Sequence, residues 1–130
     1  MQLELQPEWY GLMRSGQKTV EGRVDPEKFR SLGAGQVLCI QTAGDTHRLR
    51  VKDKRVYPTL EAYLAAEWRQ AAPQAATLEE ARALYADVWT VAKTQERDGQ
   101  PPGTRIQAFG ERRVELRGGI VAIEVEPIGP

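Results

Sequence analysis

The sequence predicts an α+β domain, a small antiparallel, curled sheet or barrel with helices packed on one side. Three observations lead there. The order of elements reads helix, strand, helical turn, two strands, two helices, loop and two strands. Strands and long helices therefore do not alternate, which disfavours a doubly wound parallel sheet. The runs QVLCIQT and LRVKDKRVY flank AGDTH turn chemistry, so residues 36–57 read as a hairpin. At 130 residues, with 41% hydrophobic and 28% charged residues, the chain fits one domain, 1–130, with one ordinary core.

Each element has a local reason. Pro7 suits a first helical turn, Trp9, Leu12 and Met13 share a face, and Gly16 can end the helix in a left-handed conformation. KTVEGRV is short and extended. DPEKFRSLG reads as one helical turn with Asp25 as cap, Pro26 first and Gly33 as stop. TLEAYLAAEWR begins at a Thr59 cap and aligns Leu60, Tyr63, Leu64 and Trp68. In TLEEARALYADVW, Thr77 and Glu80 make a capping box, and an apolar stripe runs from Leu78 to Trp89. Gly99, Pro101, Pro102 and Gly103 predict a flexible loop near 95–110. Beyond it, RVELRGGIVAIEVEPIG reads as two strands turned at Gly118-Gly119.

Eighteen basic and eighteen acidic side chains cancel. That balance argues against coating nucleic acid by bulk charge, which needs many phosphate contacts, but leaves room for a local basic groove. The lone Cys39 lies in the apolar run VLCI and reads as a small buried hydrophobe. No metal-ligand spacing, phosphate loop or nucleophile elbow is present, so no cofactor is expected. MQLELQPEWY lacks a basic start and a long apolar run, and no stretch is long enough to span a bilayer. The expectation is a cytoplasmic protein with no membrane partner.

The stretch most charged with chemistry is GQKTVEGR. In a regular strand Thr19, Glu21 and Arg23 share one face and Val20 and Val24 the other, with Lys18 on the valine side unless it precedes the strand. Two cations around one carboxylate can hold a phosphate or carbonyl oxygen while Glu21 accepts from an amino group. An exposed strand face with one salt bridge explains Glu21 and Arg23 equally well.

Gly16, Lys18, Glu21 and Arg23 form G-x-K-x-x-E-x-R, which resembles the signature of the ASCH domain, a relative of PUA-like RNA-binding folds. The resemblance extends through KFRSLGAGQVLCI, VYPTLEAYLAAE, TLEEARALY and VAIEVEPI. It implies a PUA-like β-barrel with helices packed at the rim. It also implies a cleft in which Lys18, Glu21 and Arg23 recognise RNA or a nucleotide. One branch of the family removes the acetyl group of acetylcytidine with a lysine, a threonine and a glutamate. Lys18 matches that lysine, Glu21 stands at the threonine position, and the glutamate falls near Gln74. A hydrolase acting on an acylated or otherwise modified nucleoside, with Lys18 and Glu21 as catalytic residues, is therefore the alternative to a binding module.

Arg48, Arg50, Lys52 and Lys54 recur at every second residue of HRLRVKDKRVY. They make either a cationic track for a nucleic-acid backbone or a solvated strand face that discourages edge pairing. Tyr57, just before Pro58, is the aromatic best placed to stack on a base. Trp9, Tyr63, Trp68, Tyr85 and Trp89 sit at helical spacing, as core residues do.

Overall fold

The computed structural model describes residues 1–86, 88–89, 106–107 and 109–128. Strand β1 (Gln2–Glu4) and helix α1 (Pro7–Arg14) lead into β2 (Val20–Val24) and a 3₁₀ turn at Pro26–Phe29. The hairpin follows as β3 (Val37–Thr42) and β4 (Asp45–Tyr57). Next come α2 (Leu60–Ala71), α3 (Leu78–Tyr85), the short pair β5 (Val88–Trp89) and β6 (Ile106–Gln107), then α4 (Glu111–Leu116) and β7 (Ile120–Pro127).

Five strands form a curled half-barrel sheet in the order β1-β3-β4-β7-β2. All neighbours are antiparallel except β1 and β3, which run parallel. The sheet is therefore mixed rather than purely antiparallel, because the chain returns from β1 through α1 and β2 before laying β3 beside it.

Strand β7, an interior strand between β4 and β2, explains its own near-continuous apolar run. Val121, Ile123 and Val125 enter one core with Leu3, Leu5, Phe29, Leu38, Ile40, Leu49 and Val51. Ile120 and Ala122 enter a second core with Val20, Tyr63, Leu64, Ala81, Tyr85 and Val114. A strand buried on both faces has no need of alternating polarity. Trp9 packs against both cores.

Several local expectations hold. Ala43 and Gly44 both take positive φ at the β3–β4 turn, the geometry that matches strand twist. Thr59 Oγ1 accepts from the Ala62 amide at 3.1 Å, and Thr77 Oγ1 from the Glu80 amide at 3.1 Å. Others do not. Asp25 precedes the 3₁₀ turn with φ 66° and makes no side-chain cap bond. Helix α3 stops at Tyr85 instead of reaching Trp89, and the β-prone Val88 and Trp89 pair with Gln107 and Ile106. Of the loop expected near 95–110, residues 95–105 and 108 lie outside the described residues, and 106–107 are strand. Glu111–Leu116 is a helix, not a strand. Gly118 and Gly119, at φ 82° and 111°, end it by donating to the Glu115 and Val114 carbonyls.

Candidate functional site

Helix α1 closes at Gly16 (φ 85°), and the chain enters β2 only at Val20. Lys18 therefore precedes the regular strand and escapes its alternation. Its amide donates to the Leu12 carbonyl and that of Thr19 to Gln70, pinning the segment between α1 and α2. The Lys18 side chain is buried, 1% exposed, and its ammonium donates to the carbonyls of Val20 and Ala71, each at 2.6 Å. Glu21 Oε1 stands 3.4 Å away, and the Trp9 ring lies over the ammonium, 4.9 Å from nitrogen to centroid. Ala71 is the last residue of α2, so the cation also meets the negative end of that helix dipole. Burial pulls the lysine pKa down from its ordinary value, and Glu21 opposes that pull.

Glu21 and Arg23 lie opposite Ile123 and Val121, on the first core's side of the sheet. Between them Gly22 faces the second core, where a methyl group would run into the Tyr63 hydroxyl and ring. The Glu21 carboxylate is nearly buried and accepts from Arg23 Nε at 2.9 Å. Arg23 Nη2 donates to the Glu4 carbonyl at 2.9 Å. Arg23 Nη1 has no partner among the described residues, and the side chain is 30% exposed. Lys18, Glu21 and Arg23 thus form one chain of charges running from beneath the surface outward.

The residues around this chain are aromatic. Trp9 and Tyr85 have centroids 5.9 Å apart, and Tyr85 meets Phe109 edge-on at 4.8 Å. The Tyr63 and Tyr85 hydroxyls share a buried 2.8 Å hydrogen bond. Burial, first of all, raises both phenol pKa values, so both stay protonated at neutral pH.

A second network went unseen in the sequence. Glu67, on the buried face of α2, takes Arg55 Nε at 2.6 Å and Nη2 at 3.0 Å, and the Tyr57 hydroxyl at 2.7 Å. Arg55 Nη1 also meets Asp53 at 2.8 Å and Glu124 at 2.9 Å. Burial alone would raise the Glu67 pKa. The hydrogen bonds from Arg55 and Tyr57 outweigh it and hold the carboxyl below its usual range. The signal that would have found this network is an acid at position i+4 from Tyr63 on an otherwise apolar helix stripe.

Tyr57 is therefore tied by its hydroxyl to Glu67 and packs edge-on against Tyr63, with centroids 6.1 Å apart. The cationic row is also interrupted. A register shift between Val51 and Asp53 inserts Lys52 as an extra residue and flips the strand beyond it. Lys54 consequently lies opposite Ile123, on the other face, and donates to the Phe29 carbonyl at 2.7 Å. Arg48 and Arg50 stay together on the exposed side opposite Cys39 and Val37, and Cys39 is only half-buried. Arg50 stands 3.9 Å from Glu126 and Lys52 3.6 Å from Glu124. One open concavity, lined by Met1, Ser31, Leu32, Gly35, Gln36 and Val37, does not include the motif, and its lining carries no ionisable side chain. Among the described residues no cluster of His, Cys, Asp or Glu is arranged to hold a metal, and no helix is long and apolar enough to cross a membrane.

No family model matches the sequence, and no curated protein does. Two solved structures are similar along nearly the whole chain. The crystal structure of hypothetical protein PH0355 superposes with a TM-score of 0.67 at 26% identity, covering 98% of this chain and 97% of that one. The solution structure of protein PF0455 from Pyrococcus furiosus gives 0.61 at 25% identity, covering 99% and 97%. The likeness places the chain in a small, barrel-like α+β fold.

Proposed function

We propose that the protein is an ASCH-type, PUA-like module that binds RNA or a nucleotide at the exposed end of the Lys18–Glu21–Arg23 chain. The observation that carries this reading is the open valence there. Arg23 Nη1 offers donors with no partner among the described residues, directly beside a carboxylate that accepts. A guanidinium next to a carboxylate suits a ligand that presents a phosphate or carbonyl oxygen beside an amino group. Lys18 then acts through Glu21 as a positioning residue, because its own ammonium is shut from solvent.

The same geometry speaks against Lys18 as the base of a hydrolase. A neutral amine has two N–H bonds and a lone pair. Here three acceptors surround the nitrogen, so loss of a proton would set that lone pair against an oxygen.

The test is fluorescence anisotropy with labelled single-stranded RNA and with a labelled nucleoside monophosphate. Arg23→Ala is expected to weaken binding about tenfold or more, as loss of a charged hydrogen bond does, with the fold retained. Affinity should fall as salt rises. Absence of salt-sensitive binding to both probes would overturn the reading.

A further inference from the structure

The two edge strands of the sheet, β1 and β2, stand at opposite ends of the strand order, and no backbone ladder joins them among the described residues. One side chain crosses that gap. Arg23, on β2, donates through Nη2 to the main-chain carbonyl of Glu4 on β1 while its Nε holds Glu21. We infer that Arg23 is a clasp across the open side of the half-barrel, so that the guanidinium facing the ligand also seats the N-terminal strand.

Strand β1 needs such help. It has three residues and pairs only with β3, in parallel, extended by Leu5 donating to the Gln41 carbonyl and Cys39 donating to that of Met1. Short edge strands are the first parts of a sheet to open. Yet Leu3 and Leu5 are buried in the first core, so β1 closes that core while carrying few bonds of its own. The geometry of the guanidinium suits the task, because its planar fork holds two acceptors in fixed directions, whereas an ammonium is a compact point charge on a flexible stem. The clasp stands independently of any ligand. If the binding reading above is right, it adds a consequence: an anion that draws the guanidinium away from Glu4 loosens β1, and by the same linkage a seated β1 competes with the anion for Arg23.

Amide hydrogen exchange followed by NMR tests this on the full chain. In Arg23→Ala, the Leu5 and Cys39 amides should exchange about tenfold faster relative to Leu49 and Val51 in the middle of the sheet, with Arg23→Lys intermediate. Normalising to the mid-sheet amides separates loss of the clasp from general destabilisation. An unchanged ratio in Arg23→Ala overturns the clasp. The ligand arm adds a 12-nucleotide RNA at saturation. The clasp predicts faster Leu5 exchange in the wild type and no further change in Arg23→Ala. RNA that binds and leaves Leu5 unchanged overturns the linkage. If the RNA does not bind, the nucleoside monophosphate takes its place in this arm; failure of both to bind defeats the binding reading instead, and the ligand-free comparison still decides the clasp.

Discussion

The Arg55–Glu67 cluster and the Lys18–Glu21–Arg23 chain make similar use of buried charge and end differently. Their arginines are almost equally exposed, 33% for Arg55 and 30% for Arg23. Every nitrogen of Arg55 is engaged: Nε and Nη2 on Glu67, Nη1 on Asp53 and Glu124. Arg23 has two of its three nitrogens engaged among the described residues. The difference is valence, not exposure. Arg55 spends four of its five N–H donors on three carboxylates and fastens β4 to α2, whereas Arg23 spends two of five among the described residues and keeps Nη1 to offer a ligand beside a carboxylate. Neither burial nor charge alone separates a structural ion network from a site.

The largest effect expected from this contrast comes from Lys18→Met. The substitution keeps the apolar stem but strips the partner from the Val20 and Ala71 carbonyls and from Glu21, all buried. Removing one partner from a buried charged cluster costs about 3–5 kcal/mol, measurable as a lower urea midpoint. A loss below about 1 kcal/mol would mean that Lys18 is not the fixed inner end of the chain. Next comes Gly22→Ala, which inserts a methyl group into the Tyr63 hydroxyl and ring. Overpacking of this kind costs about 1–3 kcal/mol, and the distortion falls between Glu21 and Arg23. Binding should therefore weaken more than stability alone explains. Equal loss of both would show that the motif tolerates movement of its strand.

Glu67→Gln probes the closed cluster through pH. The folded-state pKa of Glu67 lies below the ordinary 4.5. Its stabilisation is therefore complete above the unfolded pKa and is lost as pH falls through the folded one. Wild type should exceed the variant by about 2 kcal/mol at pH 7, converging with it as pH falls through the lowered folded-state pKa and the carboxyl protonates. RNA affinity at pH 7 should be unchanged, since the cation of this network is already matched by three carboxylates. A parallel loss of RNA binding would break the distinction between the two networks.

Much of the fold was legible because it is written locally. The Thr59 cap, the Ala43-Gly44 turn and the apolar run of β7 each follow from neighbouring residues. So did the adjacency of Lys18, Glu21 and Arg23, which lie within six positions. What stayed hidden depends on partners distant in sequence. The extra residue at Lys52 exists only relative to β7, so strict alternation misplaced Lys54. Arg55 and Glu67 sit twelve residues apart, on different elements. The residues after Phe109 read as strand because Val114 and Leu116 alternate with charges. The helix-forming Glu111, Arg112 and Arg113 and the two glycines that close the turn outweighed that alternation.

The smallest effect should come from the outer row on β4, and it sharpens the comparison by supplying a third kind of cation. Arg50 and Lys52 are neither as fully engaged as Arg55 nor buried like Lys18. Each leans on one partly exposed carboxylate at 3.9 and 3.6 Å, and that of Lys52, Glu124, is shared with Arg55. Exposed pairs this long contribute about 0–1 kcal/mol, and here the lower end applies, because both cations are more than a third exposed and salt screens them. The double variant Arg50→Ala, Lys52→Ala should therefore unfold at nearly the wild-type midpoint. Its value lies in the salt dependence of RNA binding. A row that tracks the backbone gives up about two phosphate contacts when both cations are removed, and the slope of log affinity against log salt falls by about 1.4. Glu126 and Glu124 already stand opposite these cations. The expected outcome is therefore an unchanged slope, with the electrostatic part of binding concentrated at Arg23. A slope that does fall would extend the nucleic-acid surface across β4 and make open valence at Arg23 only one part of it.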